Sequence, residues 1–176
     1  MNHLEQQRFT EDRSIWISAG IFFLACMALQ VWRMQSLAAS MDQGILYQIL
    51  WNALRGHPFE STLSSQLSAD VVISGNIPSV GYHRLGQHFT PILIIWLPII
   101  GLLGKWALPL IQVSLITFSG LIFYYLAKRK LSLDLSKMLT LAFFGANAVI
   151  GPCLGNFTDL CQLPFFAFSL LFIPLL

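Results

Sequence analysis

Residues 89–130 read FTPILIIWLPIIGLLGKWALPLIQVSLITFSGLIFYYLAKRK, and the number of times this stretch crosses a membrane decides the fold. Its first part, Phe89 to Gly104, has 16 residues with two prolines and two glycines. As a helix it reaches only about 24 Å, short of the roughly 30 Å hydrocarbon core. Its second part, Trp106 to Ala127, has 22 residues without a charge, with Trp106 and the Tyr124-Tyr125 pair as interface markers. Lys128, Arg129 and Lys130 follow at once. If both parts cross and the amino terminus is inside, that basic cluster lies outside. If the first part stays interfacial or re-entrant, the cluster lies inside, where Lys and Arg concentrate. Length, proline content and charge all favour the second arrangement.

The totals agree with a membrane setting. The chain has 176 residues, 56% of them apolar, a mean hydropathy of +0.68 and 10% charged side chains. Soluble domains carry about 25% charged residues. The fold class expected is therefore all-α integral membrane, multi-pass, with the lipid bilayer as its partner. A net charge of +2 gives no footprint for nucleic acid.

Working outward from residue 89, residues 1–14 form a polar cytoplasmic tail and residues 15–37 a first transmembrane helix. Its core, Ile15 to Trp32, is charge-free and bounded by Arg13 and Arg33. SLAAS at 36–40 offers a signal-peptidase alternative, but the apolar run exceeds an ordinary h-region and further spans follow, so an uncleaved anchor is expected. Residues 38–88 form an outer loop. Within it, about 43–55 is an amphipathic interfacial helix, with Ile45, Leu46, Ile49, Leu50, Ala53 and Leu54 on one stripe. Ser40 and Gln43 supply a capping box, and Gly56 with His57-Pro58 supplies the stop. Residues 60–86 read as loop.

After the juxtamembrane helix at 89–104 come a second span (106–127), a basic cytoplasmic loop (128–136), a third span (137–154) and an outer loop (155–162). Residues 163–176 start a fourth apolar segment, truncated at 14 residues, and the chain is expected to be a fragment. Of the three cysteines, Cys26 reads as a small core residue. Cys153 and Cys161 both approach the outer face, as two unpaired thiols rather than a disulfide. Asn147, beside Gly145, Gly151 and Pro152, reads as helix packing or a kink.

In this topology Asp42 and Asp159 lie on the same outer side, each next to a span. Two carboxylates facing one cleft can orient a hydroxyl, bind a divalent cation or accept a proton. Against this, an acid in the first turn of a helix is favoured by the helix dipole alone, and Asp159 also fits a solvated loop acid. Arg84 and His88, with His83 nearby, suit a lipid-linked phosphate, which arginine can pair through two oxygens. Headgroup contact or a loop hydrogen bond is the plainer role for Arg84. His83 and His88 are five apart, a poor zinc spacing. No glycine-rich nucleotide loop, GxSxG turn or HExxH helix is present.

The stretches MDQGILYQILWNALRGHPFEST, LGQHFTPILIIWLPIIGLL, IQVSLITFSGLIFYYLAKRK and GNFTDLCQLPF, in this order, resemble a bacterial family of predicted multi-pass membrane proteins. That family is related to the GT-C glycosyltransferases, among them the protein-mannosyltransferase-like and aminoarabinose-transferase-like enzymes. The resemblance covers about residue 15 to the end. It implies the amino-terminal half of a GT-C-like fold in the bacterial inner membrane, amino terminus inside, and a polyprenyl-phosphate-linked sugar as donor. By position it implies Asp42 as the catalytic acid of the first outer loop, with a divalent cation as its candidate partner. Asp159 becomes the second acid and His88 the histidine before the juxtamembrane helix; in the glycosyltransferase hypothesis Arg84 and His88, with Gln48, face the phosphate. It also implies the juxtamembrane helix at 89–104. The sequence departs from the family pattern at Tyr47, where an acid is usual, and at Leu160-Cys161-Gln162 in place of Phe-His-Pro.

Two function classes follow: a GT-C-like glycosyltransferase, inactive as this chain alone, and a non-catalytic membrane protein such as a degenerate paralogue or packing partner. A transporter is disfavoured, because the middles of the three spans carry no charge.

Overall fold

A computed structural model of the chain describes residues 3–79, 81–84 and 91–155. In chain order they form α1 (His3–Gln35), α2 (Met41–Ala53) and the single turns α3 (Thr62–Ser65) and α4 (Ala69–Val72). A 3₁₀ turn at Pro91–Trp96, α5 (Leu97–Leu103) and a second 3₁₀ turn at Gly104–Trp106 follow, then α6 (Ala107–Ala127), α7 (Leu133–Gly145) and α8 (Asn147–Gly155). Among the described residues the only β pairing is an isolated antiparallel bridge between Glu60 and His83. The protein is all-helical, as its composition requires.

Two described segments, Asp12–Gln35 and Leu93–Ala127, are long and apolar enough to cross a membrane. Helices α7 and α8 make a third if the pair, bent by 45°, is one span. The fourth apolar segment, 163–176, lies outside the described residues. The first helix runs further back than the anchor expected at 15–37, because His3–Arg13 holds no glycine or proline and continues the helix. It also stops earlier, where Leu37 turns to a left-handed φ of 56°.

The chain divides into two compact units, Met1–Ala38 with Pro109–Leu176, and Ala39–Leu108. In the first, Ile15, Ala19, Phe22 and Cys26 recur at helical spacing on one face of α1 and pack with Val113, Ile116, Leu121, Tyr124 and Phe144. The opposite face carries Trp16, Ile17, Ile21 and Leu24, each more than half exposed. A helix apolar on both faces suits lipid on one side and protein on the other. At the amino-terminal end, Asp12 Oδ1 accepts from Tyr124 Oη at 2.5 Å and from Lys128 Nζ at 2.6 Å. The end of α6 thus lies beside the start of α1, and the two helices run antiparallel.

The third segment breaks at Ala146, whose ψ of 130° is extended, and restarts at Asn147, as the kink reading expects. Gly120 of α6 lets this segment close in, since a Cβ there would sit 2.4 Å from the ring of Phe144. One cysteine reading changes. Cys153 is a fully buried core residue like Cys26, because α8 packs against α1. Cys161 lies outside the described residues.

In the second unit α2 packs on α5 and the 3₁₀ turn before it. Ile45, Leu46, Ile49 and Leu50 are buried, and so are Leu93 and Ile100. Leu54, placed on the same stripe by periodicity, is 43% exposed, because the helix has already ended at Ala53. The long apolar run 93–127 is interrupted at Gly104, whose φ of 55° and ψ of −132° are open to glycine alone. Unbroken, its 35 residues would span about 52 Å, well beyond the bilayer core.

Candidate functional site

The loop of the second unit is assembled around the start and the polar side of α2. Ser40 caps the helix, its hydroxyl accepting from the Gln43 amide at 3.2 Å. This cap places Asp42 in the first turn, half-buried. Past the helix, Gly56 at φ 86° reverses the chain, and the His57 amide bonds back to the Asn52 carbonyl at 3.0 Å. The returning strand pairs with residues 82–84: the Ser61 amide donates to the Tyr82 carbonyl at 2.9 Å, and the Arg84 amide to the Phe59 carbonyl at 3.0 Å.

This pairing turns the Arg84 side chain inward. The residue is only 4% exposed, and Nη1 donates to Ser64 Oγ at 3.2 Å. Nε is buried and has no partner among the described residues. Burial pulls the guanidinium pKa below its ordinary value, opposed by the negative charge of Asp42 and, less, by Tyr82. Among the described residues no ion pair closes between Asp42 and Arg84, so their attraction acts at a distance. Among the described residues the guanidinium donates to the neutral Ser64 hydroxyl, and Nε is left buried without an acceptor. The sequence flagged Arg84 as a phosphate ligand, and the structure buries it beside Ser64.

Gln48, expected among the phosphate-binding residues, ties α2 to the loop through its oxygen. Its Oε1 accepts from Ser61 Oγ at 2.7 Å and from the Leu63 amide at 3.2 Å. The Ser61 hydroxyl in turn accepts from the Ser64 amide at 3.1 Å. A chain of hydrogen bonds therefore runs from α2 through two buried serines to Arg84. Only Nε2 of Gln48 is left for a ligand. Ser61 and Ser64 were missed in the sequence, where serines in a loop carry no periodicity and only a pairing across twenty residues reveals them.

Histidine and aromatic side chains flank this loop. His83 is exposed and faces Glu60 at 3.9 Å, while His57 faces the same carboxylate at 3.5 Å. Tyr47 stacks on Trp51, with 5.8 Å between ring centres, and its hydroxyl lies near Gly104. Arg55 covers the other part of the Trp51 ring at 3.8 Å. His88 and Asp159 lie outside the described residues. Among those described, no cluster of three or more His, Cys, Asp or Glu side chains could hold a metal ion. In the first unit a groove of about 350 Å³ is lined by Trp16, Ala19, Gly20, Phe23, Thr117 and Phe118 with their neighbours. It holds no titratable group and suits hydrocarbon rather than chemistry.

A family model described as "Predicted membrane protein (DUF2079)" matches residues 33–175. No curated protein and no solved structure matches the chain.

Proposed function

We propose, from the premise that this chain belongs to the DUF2079 family of predicted membrane proteins, that its outer loop forms the acid-and-arginine edge of a GT-C-like glycosyltransferase site. The observation that carries this reading is the buried guanidinium of Arg84, whose Nε has no partner among the described residues and whose charge the first-turn carboxylate of Asp42 favours. A phosphate of a polyprenyl-phosphate sugar would complete the arginine's donor set, and His88 is proposed to join it. Asp42 would accept the proton of an acceptor hydroxyl or help hold a divalent cation, with Asp159 as the second acid. The bilayer would carry the lipid tail.

The proposed topology has the amino terminus inside the bacterial inner membrane and residues 39–108 outside. The contact of Asp12 with Lys128 supports it, because it brings the basic cluster to the same end as the amino terminus. One crossing by α1 and one return by α6 satisfy that contact. A further full crossing at 89–104 would send Lys128 to the opposite face.

Binding of a short-chain polyprenyl phosphate to the purified protein in detergent tests the reading. Arg84→Met is expected to lose binding about tenfold or more, the worth of one charge-assisted hydrogen bond. Asp42→Asn is expected to bind the phosphate as well or better, having lost a repelling charge, and to abolish sugar transfer in a longer member of the family. Equal binding by parent and Arg84→Met would remove the arginine from the site. The engagement of Gln48 Oε1 within the loop favours the second reading, a non-catalytic packing module whose polar side chains serve its own fold. Equal binding would support it.

A further inference from the structure

The core of the first unit brings together two thiols from distant parts of the chain. Cys26 of α1 and Cys153 of α8 are 3% and 0% exposed, both are free, and both belong to one apolar cluster. Their helices pack on each other. One turn beyond Cys26, on the same face of α1, Gln30 Nε2 donates to the carbonyl of Cys153 itself at 2.8 Å. The backbone of α8 is thus held against α1 at the level of the two sulfurs, which share a side-chain hydrogen bond. One buried cysteine is an ordinary small core residue. Two in contact on separate helices have a reaction open to them that no other pair of small residues has. Gln30 adds a second, independent observation. Its Oε1 is buried and has no partner among the described residues, which is costly in an apolar core. A thiol proton leaving this core needs an acceptor, and that oxygen is one.

We propose that Cys26 and Cys153 form a dithiol site that is oxidised to a disulfide pinning α8 to α1, with a lipid-soluble quinone as the class of oxidant. Two S–H bonds break and one S–S bond forms. The two protons and two electrons pass to the quinone, which becomes the hydroquinone. Dithiol and disulfide are both neutral, so neither state leaves a charge in the apolar core. The burial of the pair disfavours oxidants dissolved in water, whereas a quinone partitions into hydrocarbon. In the topology proposed above α1 runs outward, and Cys26 lies seven residues before Arg33, about 10 Å along the helix. The pair then sits toward the oxidising side of a bacterial inner membrane. The bond has something to hold, because the third segment is broken at Ala146, whose ψ is 130°, and α8 is free of the α7 hydrogen-bond ladder. Neither Asp42 nor Arg84 enters this chemistry, which stands apart from the glycosyltransferase reading.

Thiol counting on the full chain in detergent tests the site, in a Cys161→Ser background that leaves only Cys26 and Cys153. The oxidant is a short-chain benzoquinone substituted at every ring position, so that no thiol adds to it. After denaturation, a maleimide reagent is expected to find both thiols before oxidation, less than about a tenth of them after it, and both again after dithiothreitol, on a monomer throughout. Thiols that persist while glutathione in the same sample is oxidised overturn the proposal, and so do disulfide-linked dimers in place of the internal bond. The pinning has its own readout. Hydrogen exchange over residues 147–153 is expected to slow about tenfold or more on oxidation of the parent and to stay unchanged in Cys26→Ser treated alike. A closed disulfide with unchanged exchange overturns the pinning. If Cys26→Ser does not fold, reduction of the oxidised parent supplies the same comparison. No phosphate enters either measurement, so the dithiol site and phosphate binding at Arg84 fail separately.

Discussion

Arg84→Met separates a buried arginine kept for the fold from one kept for a ligand. Removing one partner of a well-paired buried salt bridge costs about 3–5 kcal/mol. The pairing of Arg84 is poorer: one neutral hydroxyl at 3.2 Å, an orphaned Nε and a carboxylate outside ion-pair distance. The hydroxyl bond is worth about 1.5–3 kcal/mol. Attraction to Asp42, beyond 4 Å in a medium of effective dielectric about 20, adds less than about 4 kcal/mol. Desolvating the guanidinium costs several kcal/mol in return, and a buried methionine recovers about 2 kcal/mol of apolar transfer. These contributions nearly cancel. The substitution is therefore expected to cost less than the about 3 kcal/mol of a broken buried salt bridge. Thermal unfolding in detergent, with and without polyprenyl phosphate, reads both quantities. A ligand at 100 times its Kd stabilises the parent by about 2.7 kcal/mol, and the variant should gain none of this. A loss of 3 kcal/mol or more without ligand, at the level of a broken salt bridge, would refute the reasoning. So would an equal ligand-induced gain in both proteins.

Three other perturbations follow from contacts in the structure. Gly120→Ala drives a methyl into the Phe144 ring, which is held from behind by Phe22 at 4.8 Å between ring centres. It should destabilise by about 1–3 kcal/mol in a detergent melt, and Phe144→Leu in the same chain should recover most of that; no recovery would place the strain elsewhere. Gln48→Leu removes the acceptor shared by Ser61 and Leu63 and should cost about 1–3 kcal/mol, whereas Gln48→Glu keeps the acceptor and the fold. Equal melting of the two variants would argue against the tether. Arg129→Cys, beside the lysine that binds Asp12, should react with an impermeant thiol reagent only after cells are opened. Labelling of intact cells would overturn the placement of this loop, and with it the amino terminus, on the inner side.

The sequence alone determined the elements whose cause is local or compositional. Long charge-free runs dictate helices in lipid, since each backbone group must be satisfied within its own segment. Ser40, Gln43 and Gly56 set the ends of α2 because capping and a left-handed turn are decided within a few residues. The prolines and glycines of 89–104 marked a segment unlike its neighbour, and the break falls at Gly104. Tertiary structure alone decided what depends on partners far along the chain. Gln30 and Arg33 look like ordinary flanks of a span until a carbonyl more than a hundred residues away meets them. The burial of Arg84 follows from the pairing of residues 59–61 with 82–84, and that of Cys153 from α8 lying on α1. Hydropathy reports how a residue partitions between water and lipid. It carries no information on which distant polar atom will be brought close enough to bond, and in this protein those meetings bury Arg84 and hold Gln30 and Arg33 against α8.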